Sequence, residues 1–571
     1  MNQAIRIASF YKPNRWDAAA LLLIIAVLSL SVEGLHDLHV PLASVSTPIT
    51  LSPSALPGYA LRSVTRMLLA MVASLLFTFT YATLAAKSRH AERLLIPILD
   101  ILQSVPVLGF LSFTVTFFLH LFPGPMGAEC AAIFAIFTSQ AWNMAFSFYQ
   151  SLKTIPVDLQ EASRAFRFSG WQRFWQLEVP YAMPGLVWNM MISMSGGWFF
   201  VVASEAITVG SQTIQLPGIG AYVAEAIVQR NVHAVLWALA AMALVIAAYD
   251  QLLFRPLIAW SEKFRFEQTA SGIGAPRSWV LTLLQRTRLL SHAFEPLGRA
   301  LYNLSHLRFP LRTPPVKPHP VLAQLGDKAW SACVIAGLFY GAWRLEVYVA
   351  MNLTWPDITQ ALLLGLATLG RVIVLIALAS LIWVPIGVLI GLNARLARIV
   401  QPLAQAVAAF PANLLFPVAV MGIARFDANP DIWLSPLMIL GTQWYILFNV
   451  IAGAANIPGD FREVAGNFHL RGWQWWRTLA LPGIFSAYVT GALAASGGAW
   501  NASIVAEWVR WGDASYSAHG LGAYIAGATE AGDYPRIVLG IAVMSLYVTI
   551  FNRLLWSKLY SFAQRRFAMG E

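Results

Sequence analysis

Charge is scarce in this chain of 571 residues. Asp, Glu, Lys and Arg make up 11% of it, 58% is hydrophobic, and the mean hydropathy is +0.62, whereas about 25% of a typical soluble domain is charged. A soluble protein of this length needs charged surface for several domains; that surface is missing, so most of the chain faces lipid or itself. Cysteine is nearly absent as well. Cys130 and Cys333 both lie in apolar stretches without metal-ligand neighbours, which argues against a disulfide framework or a zinc site and leaves them as packing residues. No Gly-Lys dipeptide occurs, so the phosphate-binding loop of the GxxxxGK[ST] form is excluded. HExxH, GxSxG and clustered metal ligands are also missing, which speaks against an intramembrane enzyme.

What charge there is reports topology. The net +11 is not gathered into a soluble domain with interleaved aromatics, as nucleic-acid binding would require. The basic residues sit between apolar runs, as in cytoplasmic loops. Runs long enough to cross a membrane fall near 17-33, 64-86, 95-121, 127-150, 183-209 and 232-256, and again near 329-345, 361-392, 399-424, 433-456, 481-509 and 534-556. With the N-terminus inside, the loops and tails assigned to the cytoplasm hold 30 of the 38 Lys and Arg, so both termini are expected to be cytoplasmic. Arg6, Lys12 and Arg15 before a short apolar run could open a signal peptide. The equally short run from Trp330 to Trp343 opens the second set, which argues that both are first spans of a repeat.

The two sets align directly. Arg66 and Arg371, Arg93 and Arg398, Pro97 and Pro402, and Pro106 and Pro411 are each 305 residues apart. Trp142 and Trp444, Pro156 and Pro458, Glu161 and Glu463, Gly170 and Gly472, Pro180 and Pro482, Trp198 and Trp500, and Glu205 and Glu507 are each 302 apart. Two halves with an even number of spans enter from the same side and are related by an axis along the membrane normal, so the expectation is a polytopic all-α protein of about twelve transmembrane helices in two parallel six-helix repeats. The halves are 1-256 and 329-571. Between them 257-328 carries Arg277, Arg286, Arg288, Arg299, Arg308, Arg312 and Lys317, with prolines at 314, 315, 318 and 320; it reads as a basic cytoplasmic linker with an amphipathic surface helix from about Arg277 to Leu307.

One loop in each half stands out, at 156-180 (PVDLQEASRAFRFSGWQRFWQLEVP) and 458-482 (PGDFREVAGNFHLRGWQWWRTLALP). Asp158 and Asp460 sit where an N-cap belongs, with Glu161 and Glu463 three residues later, the spacing of a capping box. Gly170 and Gly472 permit a turn or a close backbone approach, and Pro180 and Pro482 open the next span. The expected unit is helix, turn, helix on the cytoplasmic surface. A surface helix touching anionic lipid would share some of these features, but not two copies in one register.

These loops resemble the shared loop of binding-protein-dependent ABC importer permeases, in which Glu-Ala-Ala, three residues, Gly, nine variable residues and Leu-Pro are typical. The copies here read Glu161-Ala162-Ser163 with Gly170 and Val179-Pro180, and Glu463-Val464-Ala465 with Gly472 and Leu481-Pro482. The resemblance implies a type I permease fold in a bacterial or archaeal inner membrane, and it implies that the loops couple transport to two ATP-binding cassette subunits at the cytoplasmic face. ATP and Mg would then reside on those partners, with no cofactor on this chain, and a periplasmic or extracellular binding protein would deliver the solute. The loop residues in question are Asp158, Glu161, Ala162, Gly170, Asp460, Glu463, Ala465 and Gly472.

The stretches SGGAWNASIVAEWV from Ser496 and SGGWFFVVASEAI from Ser195, followed by GLGAYIAGA and GIGAYVAEA, are similar to the nitrate, sulfonate, taurine and bicarbonate branch of that family. Candidates for the path or a gate are Arg66, Gln140, Asn143, Glu205, Arg371, Gln443, Asn501 and Glu507. Ionisable groups within spans mark pathways unless they pair; Glu205 and Glu507 could equally cap a helix or pair with a neighbour such as Arg510, and Arg66 and Arg371 could attract an anion or snorkel to the interface. A twelve-span secondary carrier would also show parallel halves and a basic central loop. It needs no repeated docking loop.

Overall fold

The computed structural model describes residues 49–104, 107–209, 212–264, 278–308, 320–512 and 514–567. The span expected at 17-33 lies outside these residues. The first half runs α1 (Leu56–Lys87), α2 (Arg89–Ser104), a 3-10 turn (Val107–Phe110), α3 (Leu111–Leu121), α4 (Pro125–Lys153), the short α5 (Val157–Ala165) and α6 (Gly170–Arg173), and α7 (Val179–Ser204). A hairpin of β1 (Ala206–Val209) and β2 (Gln212–Gln215), α8 (Ile219–Val228), α9 (Val232–Tyr249) and α10 (Arg255–Ser261) complete it. In the region between the halves lie α11 (Trp279–Arg286) and α12 (Arg288–Ser305).

The second half runs α13 (Pro320–Asn352), α14 (Trp355–Gly391), α15 (Ala394–Ala408), a 3-10 turn (Ala412–Leu415), α16 (Phe416–Phe426), α17 (Pro430–Trp433), α18 (Ser435–Leu440) and α19 (Gln443–Ala455). The short α20 (Gly459–Asn467) and α21 (Gly472–Trp475) lead to α22 (Leu481–Ala506), a hairpin of β3 (Trp508–Trp511) and β4 (Ala514–Ser517), α23 (Leu521–Ala531), α24 (Tyr534–Phe551) and α25 (Ser557–Phe567).

The molecule is overwhelmingly helical. Among the described residues five helices are long and apolar enough to cross a membrane, or up to eight if three bent pairs each count as one span. The longest, α14, starts with a capping box in which Asp357 Oδ2 accepts from Thr354 N and Oγ1 at 3.0 and 2.6 Å. Its 37 residues extend about 55 Å at 1.5 Å per residue, well beyond a hydrocarbon core of roughly 30 Å. Leu363, Leu381 and Leu389 on it are 64 to 73% exposed, as a lipid-facing stripe requires.

Three details depart from the expected continuous spans. The helix over 399-424 is bent by 73° between α15 and α16, because Pro411, at φ −68° and ψ 114°, has no amide to donate and its ring clashes with a continuing helix. The stretch 433-456 bends by 44°. The stretches 183-209 and 481-509 leave the helix at Ser204 and Ala506 and end in the antiparallel hairpins, Ala206 pairing with Gln215 and Trp508 with Ser517. The single amphipathic helix expected from Arg277 to Leu307 is two, because Thr287 takes an extended conformation between α11 and α12.

Packing relies on small residues, as it must where lipid offers apolar side chains as good a home as protein does. A methyl on Gly491 would lie 2.6 Å from the Tyr445 carbonyl, and one on Gly391 2.5 Å from that of Ile451, so α22 and α14 both approach α19 at backbone distance. The halves meet along a seam with reciprocal bonds. Val107 N donates to Asn501 Oδ1 at 2.9 Å and Asn413 Nδ2 donates to the Phe199 carbonyl at 3.0 Å; in each case the 3-10 turn of one half is tied to the long helix of the other.

Candidate functional site

Two groups of residues lie at opposite ends of α7 and α22, about 39 Å apart by the length of a 26-residue helix.

At the N-terminal ends are the paired short helices. In both copies a proline takes the N-cap position, Pro156 and Pro458, with no side-chain cap. This corrects the expected capping box at Asp158–Glu161 and Asp460–Glu463. Helix formation starts right after the proline, so Asp158 and Asp460 fall inside the first turn, where a carboxylate complements the helix dipole. A capping box exists one helix later and in the first copy only: Ser169 Oγ accepts from Gln172 N at 3.3 Å and Gln172 Oε1 accepts from Ser169 N at 3.0 Å. The third position of each motif is the buried one, Ser163 and Ala465 at 4% exposure. Asp158, Glu161, Ala162, Gly170, Asp460, Glu463 and Gly472 are all exposed. Each short helix thus seats on a small side chain and turns its acidic residues outward. Between the two short helices the chain turns through the left-handed region at Arg167 (φ 53°) and His469 (φ 50°). Gly472 has φ +55°, whereas Gly170 does not share that conformation. Beside the first copy, Glu92 accepts from Lys153 Nζ at 2.8 Å and from Tyr149 Oη at 2.6 Å; these bonds, that of Lys153 foremost, hold its carboxyl below the ordinary glutamate range.

At the C-terminal ends the structure joins residues that the sequence had only placed side by side. Arg66 binds Glu129 through Nε and Nη2 at 2.6 and 2.5 Å, and through Nη1 it binds Glu205 Oε1 at 2.8 Å and the Pro217 carbonyl at 3.0 Å. Glu205 also accepts from Ser63 Oγ at 2.6 Å and from Gly220 N at 2.6 Å. The second half builds the same network in the same register. Arg371 binds Glu507 at 3.0 Å and Asp431 at 2.8 Å, and Glu507 accepts from Thr368 Oγ1 at 3.0 Å and from Gly522 N at 2.8 Å. Arg510 pairs with Glu530 instead of Glu507.

Ser63, Glu129, Thr368 and Asp431 were not singled out from the sequence. The signal was there: Ser63 and Thr368 are 305 apart and Glu129 and Asp431 are 302 apart, the registers of the duplication. Glu205 and Glu507 are 0 and 1% exposed, so both carboxylates are consumed in pinning α1 or α14 to the start of α8 or α23. Gly220 and Gly522 are required there, since a methyl would lie 2.4 Å from the carbonyl of Val202 or Ser503.

The remaining path candidates are dispersed. Gln140 is fully buried against the Met67 and Met194 sulfurs at 3.0 and 3.3 Å, and Asn143 is half-buried on the same helix. Gln443 accepts from Trp383 Nε1 at 2.8 Å. Asn501 bonds across the seam, and its reciprocal partner in the seam, Asn413, was not anticipated. Among the described residues no group of His, Cys, Asp and Glu is arranged to hold a metal ion.

The model of the family described as "Binding-protein-dependent transport system inner membrane component" matches twice, at residues 74–254 and 383–565. The chain is similar to a nitrate import permease protein of Leptolyngbya laminosa, 26% identical over 188 residues that are 33% of this chain and 64% of the relative. It is also similar to a bicarbonate transport system permease protein of Synechococcus elongatus, 27% identical over 190 residues with the same shares. A taurine transport system permease protein of Escherichia coli is 25% identical over 166 residues, 29% of this chain and 58% of the relative. The chain thus spans about two thirds or less of the length of these relatives. One match falls in each duplicated half and extends beyond the paired short helices: this chain belongs to the family of binding-protein-dependent transport system inner-membrane components.

Proposed function

We propose that this chain forms the membrane path of an ATP-driven importer, with both permease halves fused and twelve spans arranged as two parallel repeats. The observation that carries the reading is the pair of capless, proline-started helices on one end of the molecule, each seated on a small buried residue with its acidic face exposed. Two such surfaces suit two ATP-binding cassette subunits, which would carry ATP and Mg, and Glu161, Glu463 and Gly472 would lie at the contacts. The distribution of Lys and Arg supports this end and both termini lying in the cytoplasm. A soluble binding protein on the other side would deliver the solute.

The path would follow the seam between the halves. A rocking of one half against the other, driven by the short helices through α7 and α22, must break the reciprocal bonds of Asn413 and Asn501. Arg66, Glu205, Arg371 and Glu507 would serve this motion by making each half move as one body, and their mutual pairing leaves them poorly placed to attract solute. The relatives transport nitrate, bicarbonate and taurine by name, and a small anion of that kind is the substrate class we propose. A secondary carrier has no use for two ATPase-facing surfaces.

The test is to purify the full chain from its native membrane in mild detergent and identify what accompanies it. Two nucleotide-binding subunits per chain, and uptake into vesicles that needs ATP and a binding protein, are the expected result. A solitary chain that transports without ATP would overturn the reading.

A further inference from the structure

The region between the halves has no role in the function proposed above, yet its helices end on one of the two loops. Trp171 Nε1 donates to the Leu304 carbonyl at 2.7 Å and Gln172 Nε2 donates to the His306 carbonyl at 3.0 Å. The acceptors belong to the C-terminal end of α12, where the last carbonyls of a helix lack partners within it. At its other end this pair of helices is held down by α11, whose Val280 and Leu283 are 3 and 7% exposed and which packs against α10 at the end of the first half. The chain of contacts therefore runs from the last helix of the first half, through α11 and α12, to α6, which leads into α7.

Among the described residues the second loop has no such support. Trp473, the counterpart of Trp171, is 69% exposed, and Gln474 is exposed where Gln172 is buried. The local chemistry differs in the same sense. Glu178, 4% exposed, is held by Arg173 Nε at 2.9 Å and by Lys87 Nζ at 2.8 Å. The positions 302 residues on from Glu178 and Arg173 are Ala480 and Trp475, and the one 305 on from Lys87 is Leu392. The second loop therefore lacks these ion pairs, and it also lacks the Ser169–Gln172 capping box, having Arg471 at that N-cap with no side-chain bond.

We infer that residues 278–308 form a strut that holds the first loop in a fixed geometry through the positioning residues Trp171 and Gln172, and that the second loop, formed but without these supports, is held less firmly. The two surfaces proposed to face the ATPase are then unequal by construction: the first is preorganised and the second less so, leaving it more to lose on docking. The consequence for coupling rests on the importer reading, but the strut itself is a property of the chain alone.

Hydrogen–deuterium exchange of the full chain in lipid nanodiscs, with no ATPase present, tests it. Peptides covering 157–173 and 297–308 are expected to exchange roughly tenfold more slowly than 459–475, as one to two hydrogen bonds of ordinary worth would give. The double variant Trp171→Phe with Gln172→Glu removes both donors; the introduced carboxylate can still accept from the Ser169 amide, so the capping box survives. It should speed exchange of both 157–173 and 297–308 by roughly tenfold and leave 459–475 as it was. Equal rates in the two loops of the unaltered chain would overturn the strut. So would a double variant whose 297–308 peptide stays protected, since that segment would then be held by something else, such as the lipid headgroups. In the assembled transporter the double variant should lower solute moved per ATP hydrolysed; an unchanged ratio would refute the positioning role. A chain that shows the protection but retains no ATPase on purification would sink the importer reading and leave the strut standing.

Discussion

Replacing Arg66 with Met is the sharpest test of the buried networks. The side chain is 4% exposed and Glu205 is 0% exposed, so the substitution strands a carboxylate that water cannot reach. Breaking a buried pair from one side costs about 3–5 kcal/mol. Glu205 keeps its bonds from Ser63 and Gly220, and Glu129 at 14% exposure regains some hydration, so the lower end, about 3 kcal/mol, is expected. At roughly 2–4 °C per kcal/mol for a large domain, that is a fall of roughly 6–12 °C in the unfolding midpoint. Arg371→Met should cost less, because Arg371 is 15% and Asp431 35% exposed. The assay is thermal unfolding in detergent, followed by size-exclusion recovery, on the single variants and on Arg66→Met with Glu205→Gln. The double variant should regain about half of the loss, since a neutral amide needs no counter-charge. If Arg66→Met unfolds within about 1 °C of the unaltered chain while uptake of an anion collapses, Arg66 faces solute and the structural reasoning fails.

Gly472→Ala should destabilise by about 1 kcal/mol through its left-handed backbone, and Gly170→Ala should be neutral, having no such conformation and no atom within 4 Å; equal melting of the two variants would contradict this. Glu161→Lys and Gly472→Trp, both on exposed faces, should uncouple ATP hydrolysis from uptake in folded protein, and normal uptake in both would remove the loops from the coupling role. Asn413→Leu or Asn501→Leu should loosen the seam and raise ATP hydrolysis without a binding protein several-fold, as loss of about 1 kcal/mol from the closed state would; unchanged basal hydrolysis would show that the seam does not open in the cycle. The lowered carboxyl of Glu92 ties α2 to α4 at pH above the ordinary glutamate value, and the tie is lost as pH falls through the lowered value. A Glu92→Gln variant should therefore show a shallower acid-side slope in a melting-versus-pH series, and an identical slope would refute the tie.

Much of this protein was readable as a sequence because its governing constraints are local or periodic. Apolar runs must be helices in lipid, where backbone groups find partners only within the segment, and the positions of Lys and Arg indicate which loops share a side. The duplication is a matter of register: Pro156 and Pro458, or Gly170 and Gly472, announce equal structures whatever those structures turn out to be. What the sequence could not decide were matters of partner choice. Glu205 was one of several carboxylates near several arginines, and only the packing of α1 against α4 and α8 selected Arg66 and Glu129 over neighbours of the kind that Arg510 is to Glu507. The capping box moved from Asp158 to Ser169 because Pro156 takes the start of the helix, a contest between two local signals that spacing alone does not rank. Likewise, nothing in Trp171-Gln172 and Trp473-Gln474 distinguishes one from the other. The strut exists because a helix end more than 130 residues away in sequence presents two carbonyls to the first pair, and such a contact is fixed only when the whole chain has folded.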